Sequence, residues 1–242
     1  MIGAMIAILL GAAATTAAYA GFEPLKGAGK AGTLCTADAA ICIHVSDPGV
    51  LTVTRDGKDI ASWSPDTDSG DLSLAPMPAV FRLRDARLLV GVLATRQSSY
   101  SGGGGSATEH MLALVDPGKE PKLVLRVPEG GSLMIRACFD EKDVKHRAGA
   151  CHDEYRFVGA LAVATSAMDG LPTLRFSMAA SHYPRGVSRE GDSTTLPPLR
   201  KADLIWQDDP RCTYKRVFRF DAASAQYVPD AALPDCSDYT VP

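Results

Sequence analysis

Short runs in which apolar and polar residues alternate recur along most of the chain, separated by turn-forming residues. In Ala79–Arg84 (AVFRLR) the alternation has period two, the mark of a strand with one buried face. Val50–Arg55 and Lys58–Trp63 flank Asp56-Gly57, a dipeptide that suits the positive φ angles of a tight hairpin. Arg87–Thr95 (RLLVGVLAT) is apolar almost throughout and reads as a central strand covered on both faces. Further strands are expected at Ile41–Ser46, Met111–Val115, Lys122–Val127, Leu133–Phe139, Tyr155–Thr165, Thr173–Ala179, Ala202–Trp206, Tyr214–Phe220 and Gln226–Val228. Asp116–Lys119 (DPGK) and Pro128–Gly131 (PEGG) are expected as turns. Pro65–Pro78, the charged stretch after Phe139 (DEKDVKHRAGA) and Ser181–Leu199 are expected as loops.

Beyond the first residues no segment keeps a long 3.6-residue period. The pattern predicts an all-β fold of about a dozen short antiparallel strands in meanders, either propeller-like or a large β-sandwich. No fixed internal repeat chooses between the two.

The N-terminus, MIGAMIAILLGAAATTAAYA, is apolar and ends in Ala18-Tyr19-Ala20. Small residues at the first and third positions before a bond suit signal peptidase, so residues 1–20 read as a signal peptide cut between Ala20 and Gly21. The apolar core is too short to remain as a membrane span, and Cys35 lacks the leucine three residues earlier that a lipid anchor needs. Residues 21–34, rich in glycine and alanine, are expected as a flexible arm, and 35–242 as a single all-β domain. The expected location is periplasmic or secreted, with no transmembrane anchor after cleavage.

Export gives meaning to the six cysteines, since an even number in an oxidising compartment implies disulfides. Six cysteines allow 15 pairings, and the sequence alone does not choose among them; the spacing suggests three local pairs, Cys35–Cys42, Cys138–Cys151 and Cys212–Cys236. Each would staple the connection between neighbouring strands.

The chain has 242 residues, of which 46% are hydrophobic and 22% charged, enough to build a sizeable core. Asparagine is absent and alanine abundant, a bias of GC-rich bacterial coding. The net charge of −3 offers no general basic excess, so nucleic acid is not an expected partner.

The stretch SSYSGGGGSATEH (98–110) is the most distinctive local feature. Gly102, Gly104 and Ala107 fit a G-x-G-x-x-A phosphate fingerprint, and Ser106 and Glu109 fit a capping box. No Lys-Ser/Thr follows the glycines, and no second βα unit follows the segment. A hairpin loop is therefore expected, with Gly102, Gly103, Gly104 and Gly105 exposed and Tyr100 and His110 at its shoulders as candidate binding residues.

Other chemistry is sparse. No G-x-S-x-G elbow occurs. His146, His152, Asp153 and Glu154 crowd around Cys151; the four could hold zinc, and the first three could serve a loop-borne hydrolase. The expectation is instead a charged loop above a disulfide. Asp66, Asp68 and Asp71 alternate around Gly70 and form a candidate Ca2+ loop, although the EF-hand order is broken. No other cofactor is expected. Trp63, Trp206, Tyr183 and Tyr214 are candidates for a sugar- or peptide-binding surface or for the core. The sequence thus points to an exported protein that binds an envelope protein or polysaccharide. An envelope hydrolase and a structural envelope component are the alternatives.

Overall fold

The structure, a computed structural model, describes residues 19–29, 32–65, 72–165 and 170–242. It is almost entirely β. Strands β1 (Glu23–Pro24), β2 (Lys26–Gly27), β3 (Thr33–Cys35), β4 (Ile41–Ser46), β5 (Val50–Arg55), β6 (Lys58–Trp63), β7 (Leu72–Pro76) and β8 (Ala79–Arg82) are short. They are followed by the long β9 (Leu88–Tyr100), β10 (Gly103–Val115), β11 (Lys122–Arg136), β12 (His152–Thr165) and β13 (Thr173–Tyr183). The series ends with β14 (Gln207–Asp208), β15 (Tyr214–Asp221) and β16 (Gln226–Pro229). Among the described residues two helices, α1 (Glu141–His146) and α2 (Ser237–Thr240), complete it.

The strands form two antiparallel sheets. One has eleven strands in the order β1-β8-β9-β10-β11-β12-β13-β15-β16, with β7 also on β9 and β14 also on β13. The other has five, β2 to β6 in sequence order. The sheets share a buried layer. Ile41, Ile43, Leu51, Val53 and Trp63 of the small sheet meet Val90, Val92, Met111, Ala113 and Val115 of the large one. This is why Arg87–Thr95 is apolar on both faces: even-numbered residues serve this layer while Leu89 serves the other core. Two stacked sheets make the architecture sandwich-like, without propeller blades.

A second core gathers Leu112, Leu125, Phe157, Leu161, Phe176, Phe218 and Tyr227 from the rest of the large sheet, closed at one end by Tyr239 of α2. The sheet curls back on itself without forming a closed barrel. Gln226 Nε2 donates to Leu123 O at 2.7 Å, bringing β16 to β11.

Several expected boundaries move. Pro128–Gly131, expected as a turn, lies inside β11, where Thr108 pairs with Gly130 but Glu109 pairs with Pro128, leaving Glu129 as the extra residue of a bulge. The turn residues bend a continuous strand because β10 pairs with it on both sides of the bulge. The expected arm is partly ordered into strands, with β1 paired to β8 and β2 to β3, and Phe22 and Leu25 buried. Ala202–Trp206 is not a strand; Lys201–Asp203 forms a 3-10 turn. In the charged segment Asp140 caps α1 by accepting from Lys142 N and Asp143 N.

All three expected disulfides are present: Cys35–Cys42, Cys138–Cys151 and Cys212–Cys236. Beside the second, Arg147 and Asp153 form a buried ion pair, and Ser193 Oγ donates to the other carboxylate oxygen. Arg147 Nε also donates to Ala150 O at 3.1 Å. One guanidinium thus joins α1, the start of β12 and the long 184–199 loop.

Candidate binding face

The residues expected to carry chemistry do not converge. Gly102, at φ +100°, forms the β9–β10 turn with Ser101. Gly103, Gly104 and Gly105, expected in an exposed loop, are strand residues paired to β9 on one side and β11 on the other. Glycine is required there by close approach: a Cβ on Gly103 would lie 2.2 Å from Met134 O, and one on Gly105 would lie 2.5 Å from Ser132 O. The segment from Ala107 onward is strand, so no helix N-terminus exists for a phosphate. Tyr100 is 45% exposed, its hydroxyl 3.5 Å from Met134 O. His110, expected at the loop shoulder, is buried in mid-strand opposite Leu93 and Val127.

His146 Nε2 lies 2.6 Å from Leu196 O, His152 is exposed, and Asp153 is committed to Arg147 and Ser193. No hydrogen bond joins the three among the described residues. Asp66, Asp68 and Asp71 lie outside the described residues. Among those described, no group of three or more His, Cys, Asp or Glu side chains is placed to hold a metal ion. No helix there is long and apolar enough to cross a membrane.

What the fold does assemble is an open, cationic sheet face. The register sets the rows: Arg156 opposite Ser181, Val158 opposite Ala179, Ala160 opposite Ser177 opposite Lys215, and Ala162 opposite Arg175 opposite Val217. Residues two apart on a strand share a face, so Arg156, Val158, Arg175, Ala179, Lys215 and Arg219 belong to one surface, and all six are exposed. The opposite face carries the buried Phe157, Leu161, Phe176 and Phe218. Arg175 faces Val217, with Lys215 and Arg219 two residues to either side of it. Such diagonal neighbours lie roughly 7–8 Å apart. None of Arg156, Arg175, Lys215 or Arg219 takes part in an ion pair among the described residues.

Small side chains keep the middle of this face low. Ala160, Ser177 and Ala179 floor a shallow recess bounded by Val158, Thr213 and Lys215. At one end stands an aromatic stack: the Arg156 guanidinium lies 3.8 Å from the Trp206 ring centroid, and Tyr183 lies 5.8 Å from the same ring at 38°. Arg156 Nε also donates to Ser181 Oγ at 3.0 Å, which fixes the guanidinium beneath the indole. Trp206 is 36% exposed, and Ile205 beside it is exposed too.

Two of these groups, Trp206 and Tyr183, are among the aromatics singled out from the sequence. The cations are not. KRVFR in β15 alternates visibly, but Arg175 and Arg156 reach it only through strand pairings between distant segments. A second polar recess lies where Arg96, Glu109, Arg126 and Thr108 meet Thr240 and Val241 beside α2, with Glu109 Oε1 3.9 Å from an Arg126 guanidinium nitrogen. No protein-family model, curated protein or solved structure matches this chain.

Proposed function

We propose that the chain is an exported, disulfide-stapled binding protein whose cationic sheet face holds an acidic polysaccharide of the cell envelope. Three disulfides and an apolar leader ending in Ala18-Tyr19-Ala20 support export. The observation that carries the binding reading is the triangle of Arg175, Lys215 and Arg219 around Val217, exposed and without carboxylate partners among the described residues, on a chain of net charge −3. Like charges on neighbouring strands oppose folding, and a polyanion laid across them relieves that repulsion. The recess is open and shallow, which suits an extended polymer. The exposed indole of Trp206 offers a sugar ring an apolar surface at the end of the charged row.

The test is binding of immobilised polygalacturonate against neutral dextran and poly-glutamate. Polygalacturonate alone should be retained, with affinity falling as salt rises. Arg175→Glu, Lys215→Glu and Arg219→Glu together should abolish retention while the disulfides and melting temperature persist. Equal retention of dextran, or retention by the triple variant, would overturn the reading. Preference for poly-glutamate would assign the face to an acidic protein instead.

A further inference from the structure

Tyr19 is buried at 7% exposure, yet the neighbouring Ala20–Gly21 bond lies in an exposed turn. The turn is fixed by the Phe22 N–H donating to Tyr19 O at 3.0 Å and by the Val163 N–H donating to Ala20 O at 2.8 Å. The Tyr19 ring stands edge-on to the His110 imidazole, with centroids 5.5 Å apart at 78°. His110 is 1% exposed, and neither of its ring nitrogens has a hydrogen-bond partner among the described residues. Burial lowers its pKa from 6.5 to about 4, so the ring is neutral, with one donor and one acceptor unused. A buried polar group left this way is costly unless something else satisfies it.

The geometry is that of a socket filled by a plug, with the proposed cleavage point in the accessible turn just after the plug. We propose that leader removal between Ala20 and Gly21 withdraws Tyr19 and opens a socket in which His110 binds a phenol ring, either a small free phenol or a peptide tyrosine. This rests on the export reading above. The socket does not collapse when emptied, because His110 sits in ladders to both β9 and β11, and packed surroundings relax only partly around a lost side chain. A phenol suits the chemistry: its ring replaces the edge-on contact, and a free one can turn its hydroxyl to one nitrogen of the neutral imidazole, a bond that Tyr19 does not make.

The experiment takes the full chain through export and reads the mature N-terminus by intact mass. The thermal midpoint and the imidazole 15N resonances are then recorded with p-cresol and, separately, with the peptide Ala-Ala-Tyr-Ala. A chain starting at Gly21 should be stabilised by p-cresol, with the His110 resonances shifting. His110→Leu should bind about tenfold more weakly, the worth of one hydrogen bond. Binding of the peptide as well would extend the ligand class to peptide tyrosine; binding of p-cresol alone would restrict it to free phenols. A Gly21 chain that ignores both probes overturns the socket. A chain that keeps Tyr19 overturns the cleavage instead; its Tyr19→Ala variant then tests the socket alone, binding supporting it and silence refuting it.

Discussion

The guanidinium of Arg156 lies 3.8 Å from the ring centroid of Trp206, although fifty residues of chain separate them. Strand β12 supplies the cation and the loop after the 3-10 turn supplies the indole, so the contact ties a loop to the open sheet face. A partly exposed cation–π pair contributes about 0.5–1 kcal/mol. Arg156→Ala should therefore release the indole at small cost in stability. Tryptophan fluorescence, with Trp63 replaced by Phe to leave one reporter, should shift to the red and quench more readily with iodide. An unchanged spectrum would mean that Arg156 does not hold Trp206.

Arg147 and Asp153 are 1% and 4% exposed, a buried ion pair joined by Ser193. Removing one partner strands the other charge away from water, so Asp153→Ala should lower stability by about 3–5 kcal/mol. The combined Arg147→Met, Asp153→Leu and Ser193→Ala variant should lose much less, since no charge remains to desolvate. Urea unfolding decides between them. Equal losses would show that the pair acts through packing alone.

In the chain that retains Tyr19, buried His110 makes stability depend on pH. Its folded pKa of about 4 is below the unfolded 6.5, so between these values the unfolded chain binds the extra proton. Stability should fall as pH drops through that window, by at most about 3 kcal/mol. Glu129 works the other way: burial raises its pKa, so folding favours its protonated form and loses that advantage as pH rises. Comparing the parent with His110→Gln isolates the imidazole. The parent should lose melting temperature more steeply from pH 6.5 to 4, and parallel curves would contradict the buried neutral ring.

Gly159 lies where β12 passes the bulged part of β11. A Cβ there would sit 2.2 Å from Pro128 O and 3.1 Å from the Phe176 ring. Gly159→Ala should cost about 1–3 kcal/mol through overpacking. At Gly130 the nearest atom to an added Cβ is 3.6 Å away, so Gly130→Ala should be neutral or slightly stabilising by restricting the unfolded chain. Denaturant midpoints of the two variants test this contrast.

The local features were legible in the sequence because their causes are local. Asp56-Gly57 sets a hairpin whose strands begin and end where the alternation places them, at Val50–Arg55 and Lys58–Trp63. The cysteine pairs follow from short loop closures. Strand length was less legible: Pro128–Gly131 reads as a turn from its residue types, yet β11 continues through it because β10 offers a partner along its whole length. The glycines 103–105 read as a loop for the same reason, since no local rule reveals that two neighbouring strands lie too close for any side chain.

By itself the sequence determined an all-β chain and tight turns such as Asp56-Gly57, and its cysteine spacing pointed to the local pairs that the structure contains, all set by interactions between residues near in sequence. Only the tertiary structure decided that His110 is a core residue under Tyr19, that Asp153 serves Arg147, and that Arg156, Arg175, Lys215 and Arg219 share one open face. The Arg147–Asp153 pair spans only six residues, but the other relationships depend on sheet order and register between distant strands. A slip of one residue in register would send the strand side chains among them to the opposite face.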